Sequence, residues 1–212
     1  MTAPVRRQAR GRARMASILD ATEQLVAEVG YDEMSTNAVA SRAGISPGSL
    51  YQFFGGKADL LAGLVDRYTQ DFQRFWDEQL TDDVADLPLE VVVDRLIDAV
   101  VAFKGERPAF WALLHGSATS DTLAAASARL DEQLTGRLAD LYARRAPHLD
   151  ATRRRLVAQV SVATVKALMG MVMDPARREG AGEATAELKR VLVGYLGPAL
   201  APPSSRTTPP SP

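Results

Sequence analysis

Apolar residues recur along most of this chain at the spacing of an α-helix, three or four residues apart, and no stretch alternates as a β-strand does. Glycine or proline follows several of these stretches, which is where helices commonly end. The pattern predicts an all-α fold with two short helices inside residues 35–57. Other helices are expected at about residues 10–29, 57–80, 89–103, 107–115, 122–145, 152–173 and 183–196.

Residues 35–57 predict a helix, a tight turn and a second helix. Val39, Ala40 and Ala43 give the first helix one apolar face at helical spacing. Gly44 follows, and glycine is the residue that adopts a turn conformation where a side chain would be costly. This order of elements is that of a helix-turn-helix.

The second helix of this pair has one apolar face and one polar face. Ser46 can cap it, with Pro47 at the first helical position. Small, hydroxylated and amide-bearing groups opposite a buried apolar face suit a reader of the DNA major groove. The alternative is a helical hairpin whose polar face is simply exposed to solvent. The apolar face consists of Leu50, Phe53 and Phe54, and the polar face of Gly48, Ser49, Tyr51 and Gln52.

Positive charge is concentrated at the N-terminus, although the chain as a whole is close to neutral. The formal net charge is −1 and the pI is about 6.2, so total charge gives no indication of nucleic-acid binding. The first fourteen residues contain five arginines and no acidic residue. Such an arm suits local contact with phosphates, and the alternative is a disordered, solvated N-terminus. The five are Arg6, Arg7, Arg10, Arg12 and Arg14.

The chain contains no cysteine, which excludes disulfides, thiolate metal sites and cysteine nucleophiles. This composition fits a reducing cytoplasm, where we expect the protein to reside. No apolar stretch follows the N-terminal arginines as it does in a signal peptide. Residues 156–173 are the most apolar, but Gln159, Lys166 and Gly170 interrupt them, so we predict a buried helix too short for a membrane span and no membrane partner. Residues 201–212 contain five prolines and are predicted to form a disordered tail.

The last two long helices carry more apolar surface than one core needs. In residues 156–173 the apolar positions fall almost all round the helix, which is typical of a helix buried on more than one side. We therefore predict a homodimer joined through these two helices. The alternative is a core helix covered entirely by its own chain. The last helix contributes Leu188, Val191, Leu192, Tyr195 and Leu196.

Aromatic residues cluster in the middle of the chain, near a histidine. At helical spacing such residues are most often ordinary core. They can also line an apolar pocket that has a few polar groups, and methionines would add an adaptable wall to it. The residues that we predict to contact a small, largely apolar ligand are Phe72, Trp76, Phe103, Phe110, Trp111, His115, Gln159 and Met169.

Enzymatic sites find little support in the sequence. Gly55-Gly56-Lys57 lacks the earlier glycine and the following serine or threonine of a phosphate-binding loop. The metalloprotease, nucleophile-elbow and calcium-loop motifs are missing as well. We therefore predict that the protein is not an enzyme and uses no metal or cofactor.

Residues 18–66, ILDATEQLVAEVGYDEMSTNAVASRAGISPGSLYQFFGGKADLLAGLVD, resemble the DNA-binding domain of the TetR family of bacterial transcriptional repressors. The likeness extends over about residues 10–66 without a gap. It implies a ligand-responsive repressor that binds a pseudo-palindromic DNA operator as a homodimer and is released by a small inducer. The features that carry it are Gly30-Tyr31, the Ala-Gly-Ile-Ser turn, the Leu50-Tyr51-x-Phe53-Phe54 run and Lys57.

The resemblance also implies which residues contact DNA. Pro47 and Gln52 depart from the residues common in the family, so base reading is expected to depend on Gln52, Asn37 and the arginine arm. Positions that face the bases hold Asn37, Pro47, Gly48 and Gln52. Phosphate or sugar contacts are implied for Ser35, Thr36, Ser46, Ser49, Tyr51 and Lys57, with Arg12 added from the arm.

We expect a helix-turn-helix domain with a basic arm at residues 1–57, a helical ligand-binding and dimerisation domain at 58–200, and the tail at 201–212. Two other classes remain open, in which the helix-turn-helix is incidental. One is an all-α protein that binds a small molecule, and the salt dependence of duplex binding separates it from a repressor. The other is an enzyme acting on an apolar ligand, which requires a polar catalytic pair.

Overall fold

A computed structural model of the chain describes residues 3–107, 121–173 and 180–202. Within these ranges the secondary structure is helical, which confirms the predicted all-α fold. Most of the helix predicted at residues 107–115, and most of the predicted tail, lie outside them. The helices are α1 (Ala3–Glu33), α2 (Thr36–Arg42), α3 (Pro47–Tyr51), α4 (Lys57–Gln79), α5 (Leu89–Glu106), α6 (Asp121–Arg145), α7 (Ala151–Val172) and α8 (Ala181–Leu200), with a 3-10 helix at Asp82–Asp86.

The chain divides into two compact units. The first comprises Met1–Phe75 and Lys104–Leu130, and the second comprises Trp76–Phe103 and Asp131–Pro212. The boundary between them falls inside α4, whereas the sequence suggested a division by function after residue 57. That functional division stays a prediction.

Helix α1 begins at Ala3, about seven residues before its predicted start, so the basic arm is part of this helix. Alanine, glutamine and arginine make up most of the added stretch, and these residues favour helix even where no core contact supports it. The helix is kinked at Gly30, which has a φ of 81° and a ψ of 165°. Only glycine adopts this backbone region readily, which explains why the predicted end of the helix coincides with the kink.

The first unit packs α1 on α2 and α2 on α3. Arg67 of α4 adds ion pairs to α1, to Asp20 at 2.5 Å and to Glu23. Partly exposed ion pairs contribute little each, so burial of apolar side chains supplies most of the stability of this unit. The fully buried side chains include Ile18, Val39, Leu50, Leu60 and Leu64.

Gly30→Ala should lower the free energy of unfolding by about 1–3 kcal/mol, because a side chain is strained at this backbone conformation. An added Cβ would meet no atom within 4 Å, so the cost comes from the backbone alone. Urea denaturation measures it. Gly11→Ala is the control, since Gly11 lies in the helical part of α1 with the same open space. There alanine should stabilise by up to about 1 kcal/mol, and equal effects at the two glycines would contradict the strain.

Helix α5 differs from its prediction at its end and on its buried face. It passes through Gly105 and ends at Glu106, since a glycine in a helix costs only about 1 kcal/mol. The helical spacing of residues 89–103 predicts Val91, Val92, Leu96, Val100 and Phe103 as the core positions. Val91 is instead 45% exposed, whereas Val93 and Ile97 are buried. Three consecutive valines at this point cover more than half of the helix circumference, so spacing alone does not determine which two of them are buried.

The predicted loop before Pro88 contains the 3-10 helix, which ends two residues before that proline. Helix α8 was predicted to end at Leu196 but passes through Pro198 to Leu200. A proline this close to the end of a helix removes one backbone hydrogen bond and leaves the preceding turns intact. Helices α7 and α8 pack against each other.

Helix α7 contains a long apolar stretch. The helix has 22 residues and includes an 18-residue window with a mean hydropathy of 1.3, so it is long and apolar enough to cross a membrane, and the expectation that this segment is too short is wrong. Core helices of soluble proteins meet the same criterion. Only a third of its apolar window is buried within this chain. The buried side is formed by Val157, Ala158, Ser161, Val162, Met169 and Val172.

Candidate nucleic-acid interface and ligand cavity

Helices α2 and α3 form the predicted helix-turn-helix. The Ser35 hydroxyl caps α2 by accepting from the Ala38 backbone N–H at 3.1 Å. Gly44 has a φ of 65°, the left-handed conformation that the turn requires. The turn is closed by a hydrogen bond of 3.0 Å from the Ile45 N–H to the Ala40 carbonyl. Local sequence rules therefore suffice to place the turn.

Helix α3 has the buried and exposed faces that the sequence predicts. Its cap is Ser46, whose hydroxyl accepts from the Ser49 N–H at 3.2 Å and lies 2.9 Å from the Ser49 hydroxyl. The helix is shorter than predicted, since regular geometry ends at Tyr51 and residues 52–53 continue as a turn. Leu50 and Phe54 are buried. Pro47, Gly48, Tyr51 and Gln52 are exposed, and so are Ser35, Asn37 and Ser46 nearby.

A hydrogen bond joins two of the side chains implied in DNA contact. The hydroxyls of Thr36, at the start of α2, and Tyr51, at the end of α3, lie 3.2 Å apart. Tyr51 is 53% exposed, so this bond lies at the surface. It holds two groups that can donate to phosphate oxygens in one place before any ligand is bound. Local sequence patterns do not reveal this pairing, because the two residues are fifteen positions apart.

Lys57, the implied phosphate contact at the start of α4, also has internal partners. Its ammonium donates to the Asp32 carbonyl at 2.7 Å and lies 4.6 Å from the centre of the Tyr31 ring. An ammonium has three donors, so one hydrogen bond to a carbonyl leaves others for a phosphate. Lys57 thus connects α4 to the segment that follows the Gly30 kink.

Among the cations near the helix-turn-helix, Arg42 is committed to the protein itself. Its guanidinium donates to both carboxylate oxygens of Glu28 on α1, at 2.8 and 2.7 Å. This hydrogen bond holds the pKa of Glu28 below its ordinary value. Because both partners are at the surface, the pair orients α2 on α1 more than it stabilises the unit.

The basic arm presents its charges in different directions. Arg10, Arg12 and Arg14 are exposed on α1, and the side chains of Arg6 and Arg7 lie outside the described residues. At 3.6 residues per turn, Arg14 lies about 40° round the helix from Arg10, whereas Arg12 lies about 160° away. A single DNA backbone cannot be contacted by all three unless the helix unwinds, a distinction that the sequence count of arginines did not reveal.

The described part of the second unit contains an apolar cavity of about 80 Å³. Space of this size exceeds that of a single water molecule several times over, and an apolar cavity without polar partners holds water poorly. Its walls come from α5, α6, α7 and α8, with Trp76 from α4. The apolar wall consists of Trp76, Leu89, Val92, Val93, Leu96, Ile97, Val100, Leu134, Leu138, Leu141, Val162, Val165, Leu192 and Leu196.

Three polar side chains complete the wall: Tyr142, Ser161 and Arg145. The Tyr142 hydroxyl donates to Ser161 at 3.3 Å, and the Ser161 hydroxyl donates to the Val157 carbonyl at 2.8 Å. Burial raises the pKa of Tyr142 to about 12, so this phenol stays neutral. The first two groups therefore satisfy each other, and the Arg145 guanidinium donates to the backbone carbonyls of Val84, Ala85 and Leu87.

One of the predicted ligand residues whose side chains are described, Trp76, lines this cavity. Phe103 and Met169 are buried elsewhere in the same unit, and Gln159 is exposed. Phe72 is half-buried in the first unit. The clustering of aromatic residues in the sequence does not show which side of a helix faces a cavity, and the ligand contacts of these residues stay a prediction. Phe110, Trp111 and His115 lie outside the described residues.

Arg145 lies among the wall residues although it was not predicted from the sequence. It continues the apolar stripe of Leu138, Leu141 and Tyr142 on α6 at helical spacing. Its hydrogen bonds connect the end of α6 to the 3-10 helix and the residue that follows it.

The surface of the last two helices keeps large apolar side chains exposed. Leu156 and Met171 on α7 are each 46% exposed, and Val191 on α8 is 47% exposed. On α7, Ala163 and Ala167 lie on the same side as Leu156 by helical spacing and are also exposed. Gln159, which was predicted to contact the ligand, lies instead on this exposed face.

Comparisons with known proteins agree with the geometry. Residues 18–64 match the family model for bacterial regulatory proteins of the tetR family. Residues 88–196, more than half of the chain, match the model for the C-terminal domain of tetracyclin repressor-like proteins.

Individual relatives extend this result. The HTH-type transcriptional repressor KstR of Mycolicibacterium smegmatis is 38% identical over 63 residues, which are 30% of this chain and 29% of that protein. A TetR-family transcriptional regulator from Streptomyces coelicolor is 29% identical, with 88% of this chain and 99% of that one covered at a TM-score of 0.61. The regulator FadR from Bacillus subtilis, solved in complex with stearoyl-CoA, shares the fold at 16% identity, with 85% and 98% covered and a TM-score of 0.66. The resemblance seen in the sequence is confirmed, and the chain belongs to the TetR family of bacterial transcriptional regulators.

Proposed function

We propose that this regulator is a ligand-responsive repressor that binds a pseudo-palindromic operator as a homodimer and is released by a small, largely apolar inducer. The observation that carries the proposal is the helix-turn-helix with its buried apolar side and exposed polar side. The start of α3 presents a surface without bulky groups, which consists of Ser46, Gly48 and Ser49. The N-terminal end of a recognition helix is the part that contacts base edges.

The DNA contacts of this proposal follow from where each side chain lies. Gln52 is exposed beyond the end of α3 and can pair with a base edge through its amide. Thr36, Tyr51 and Lys57 surround the motif with hydroxyl and ammonium donors for phosphates. Arg12 adds a cation on α1. Phosphate contacts fix the position of α3 on the duplex, and Gln52 with Asn37 supplies sequence preference.

A homodimer would place two helix-turn-helix motifs on one duplex. The exposed apolar side of α7 and the exposed Val191 of α8 support an interface through the last two helices. Large apolar groups exposed next to one another mark interaction surfaces more often than ordinary surface. A two-fold interface of this kind requires half-sites one helical turn of DNA apart, or a multiple of it.

The cavity supports the inducer part of the proposal. Its wall is almost entirely apolar, and FadR of Bacillus subtilis, which shares the fold, was solved with a long-chain acyl compound. Helix α4 is continuous from Lys57 to Gln79 and contains Trp76, a wall residue. We expect movement of this helix to connect the ligand with the DNA contacts. A ligand can shift the equilibrium only by its differential affinity for the two forms.

Selection of bound duplexes from a random pool by the full-length protein tests the proposal. We expect an enriched pseudo-palindrome with half-sites about 34–36 Å apart or a multiple of it. Its affinity should fall steeply with salt. The alternative, a ligand-binding protein with an incidental helix-turn-helix, gives no enriched sequence.

Gly48→Glu tests whether the exposed face of α3 contacts DNA. A Cβ at Gly48 meets nothing within 4 Å, so the variant should fold, but it places a carboxylate on the exposed face of α3. Binding to the selected duplex should then be lost. Gly105→Glu is the control, because Gly105 is equally open and lies on α5. Loss of binding in both variants, or in neither, would contradict the assigned DNA surface.

A further inference from the structure

We propose that Arg67 is a positioning residue for operator binding, which holds α4 on α1 so that Lys57 reaches its DNA phosphate. The inference rests on the proposed function, since it takes the phosphate contact of Lys57 from there. It is carried by the hydrogen bonds of Arg67 to α1 and by the close packing of α4 at Gly63. Neither residue is among those proposed to contact DNA.

Arg67 joins α4 to three groups on α1. Its Nη1 donates to the Asp20 carboxylate at 2.5 Å, and its Nη2 donates to the Glu23 carboxylate and, at 3.4 Å, to the Leu19 carbonyl. The guanidinium carbon lies 6.0 Å from the centre of the buried Tyr68 ring. A planar guanidinium donates in fixed directions, so several partners together leave it little freedom. The contact therefore sets the orientation of α4 on α1.

Partial burial protects this contact from solvent. The Arg67 side chain is 22% exposed, whereas that of Arg74 on the same helix is 72% exposed in its pair with Asp71. Salt screens partly buried charges much less than exposed ones. The Arg67 pairs should therefore persist at the salt concentrations at which operator binding is measured.

Lys57 provides a second connection between α4 and α1. Its ammonium contacts Tyr31 and Asp32, whereas Arg67 contacts residues 19–23. Lys57 and Arg67 lie ten residues apart on α4, which corresponds to about 15 Å. Two connections this far apart fix the direction of a helix axis, whereas a single one would let the helix tilt about it.

Gly63 lies between the two connections and brings α4 into close contact with its neighbours. A Cβ at this position would lie 2.9 Å from Cε1 of Phe54 and 3.1 Å from Cδ2 of Leu19, and both of these side chains are buried. Since no gap exists here, a tilt of α4 turns about Gly63. Lys57 is then about 9 Å from the pivot and Arg67 about 6 Å, so a movement at Arg67 is magnified at Lys57.

Substitution of a carboxylate partner separates positioning from a simple effect of charge. Glu23→Gln removes an acidic group, so charge alone would strengthen DNA binding. Positioning predicts the opposite, with operator affinity about fivefold lower, because Arg67 loses a partner on α1. Asp66→Asn is the matched control, since it makes the same change of charge at an exposed position next to Arg67. It should not weaken binding.

Variants of Arg67 test whether the effect passes through Lys57. In gel-shift titrations, Arg67→Gln should lower the slope of log affinity against log salt by about 1 per half-site, as Lys57→Ala does. Both substitutions together should lower it no further, because they remove the same phosphate contact. Arg67→Lys keeps the charge and should restore part of the affinity. Arg74→Gln, which removes an exposed arginine of α4, should leave affinity and slope unchanged.

Hydrogen exchange of the free protein tests the hold on α4 without DNA. The backbone amides of residues 60–64 should exchange faster in Arg67→Gln and Glu23→Gln than in the wild type, and Asp66→Asn should match the wild type. Circular dichroism and urea denaturation show that each variant is folded. Stability should change little, because partly exposed ion pairs contribute little to it.

Several outcomes overturn the inference. These are unchanged operator binding in Arg67→Gln, tighter binding in Glu23→Gln, an unchanged salt slope in Lys57→Ala, or unchanged exchange at residues 60–64 in Arg67→Gln. A further fall in slope when Arg67→Gln is added to Lys57→Ala also overturns it, since Arg67 would then contact DNA itself. The proposed function fails separately. If no duplex sequence is enriched, the repressor is wrong, while hydrogen exchange still shows whether Arg67 holds α4.

Discussion

A chain that carries both Leu156→Glu and Val191→Glu should be monomeric and should lose specific operator binding. These side chains are about half exposed in the single chain, so glutamates there leave the core of the second unit intact. In a two-fold interface each position occurs twice, and four carboxylates would have to be buried without partners. We expect the dimer to weaken at least about a thousandfold, or about 4 kcal/mol.

Sedimentation equilibrium measures the dimer, and gel-shift titration on the selected operator measures DNA binding. Ala186→Glu is the matched control, because Ala186 is exposed on α8 about 140° round the helix from Val191. It should remain a dimer and bind the operator normally. A double variant that stayed dimeric, or a monomer with undiminished operator affinity, would show that the last two helices do not form the proposed interface.

Point substitution is a sharper test than deletion of α8. Leu188, Leu192 and Leu196 on that helix are buried in the core of the second unit. Removing the helix would expose their partners and destabilise the unit by several kcal/mol, whether or not a dimer forms. Loss of operator binding after deletion would therefore not distinguish dimerisation from folding.

The parts of this structure that the sequence predicts are those determined by neighbouring residues. The turn at Gly44 and the cap at Ser46 follow from glycine conformation and serine hydrogen bonding within a few positions. The kink at Gly30 has the same origin. Each depends on local geometry, so no knowledge of the rest of the chain is required.

The parts that the sequence does not predict depend on distant residues. The packing of other helices against α5 determines which of its three adjacent valines are buried, and Val91 is the exposed one. The hydrogen bond between Thr36 and Tyr51 needs two helices to be placed first. The hydrogen bonds of Arg145 form only when the carbonyls of Val84, Ala85 and Leu87 are brought to the end of α6.

The predicted ligand residues illustrate the same division. Among the residues that aromatic clustering singled out, Trp76 lies in the wall of the cavity. It could not show to which of the two units each residue belongs, and Phe72 belongs to the first unit. The cavity is instead lined mainly by aliphatic residues that look like ordinary core in a sequence. Whether such a residue lines the cavity or fills the core depends on how the helices pack, and the spacing of apolar residues in the sequence does not show this.

Lys57→Ala and Gln52→Ala should have different effects on operator recognition. Loss of the Lys57 ammonium removes a phosphate contact, so binding should weaken by a similar factor on every duplex. The slope of log affinity against log salt should fall by about 1 per half-site. Gln52→Ala should cost about 1–3 kcal/mol at one base position and relax the preference there, with little change in the salt slope.

The internal contacts of Lys57 require a further control. The ammonium also lies over the Tyr31 ring and donates to the Asp32 carbonyl, so Lys57→Ala could act by loosening the segment after the kink. Tyr31→Leu removes the ring contact and keeps the charge. It should weaken operator binding less than Lys57→Ala and leave the salt slope unchanged, because no phosphate contact is lost. Titrations of the selected operator and its single-base variants at several salt concentrations measure all three variants. If Lys57→Ala changed base preference while Gln52→Ala preserved it, α3 would have to lie in the groove in a different orientation, with Gln52 directed away from the bases.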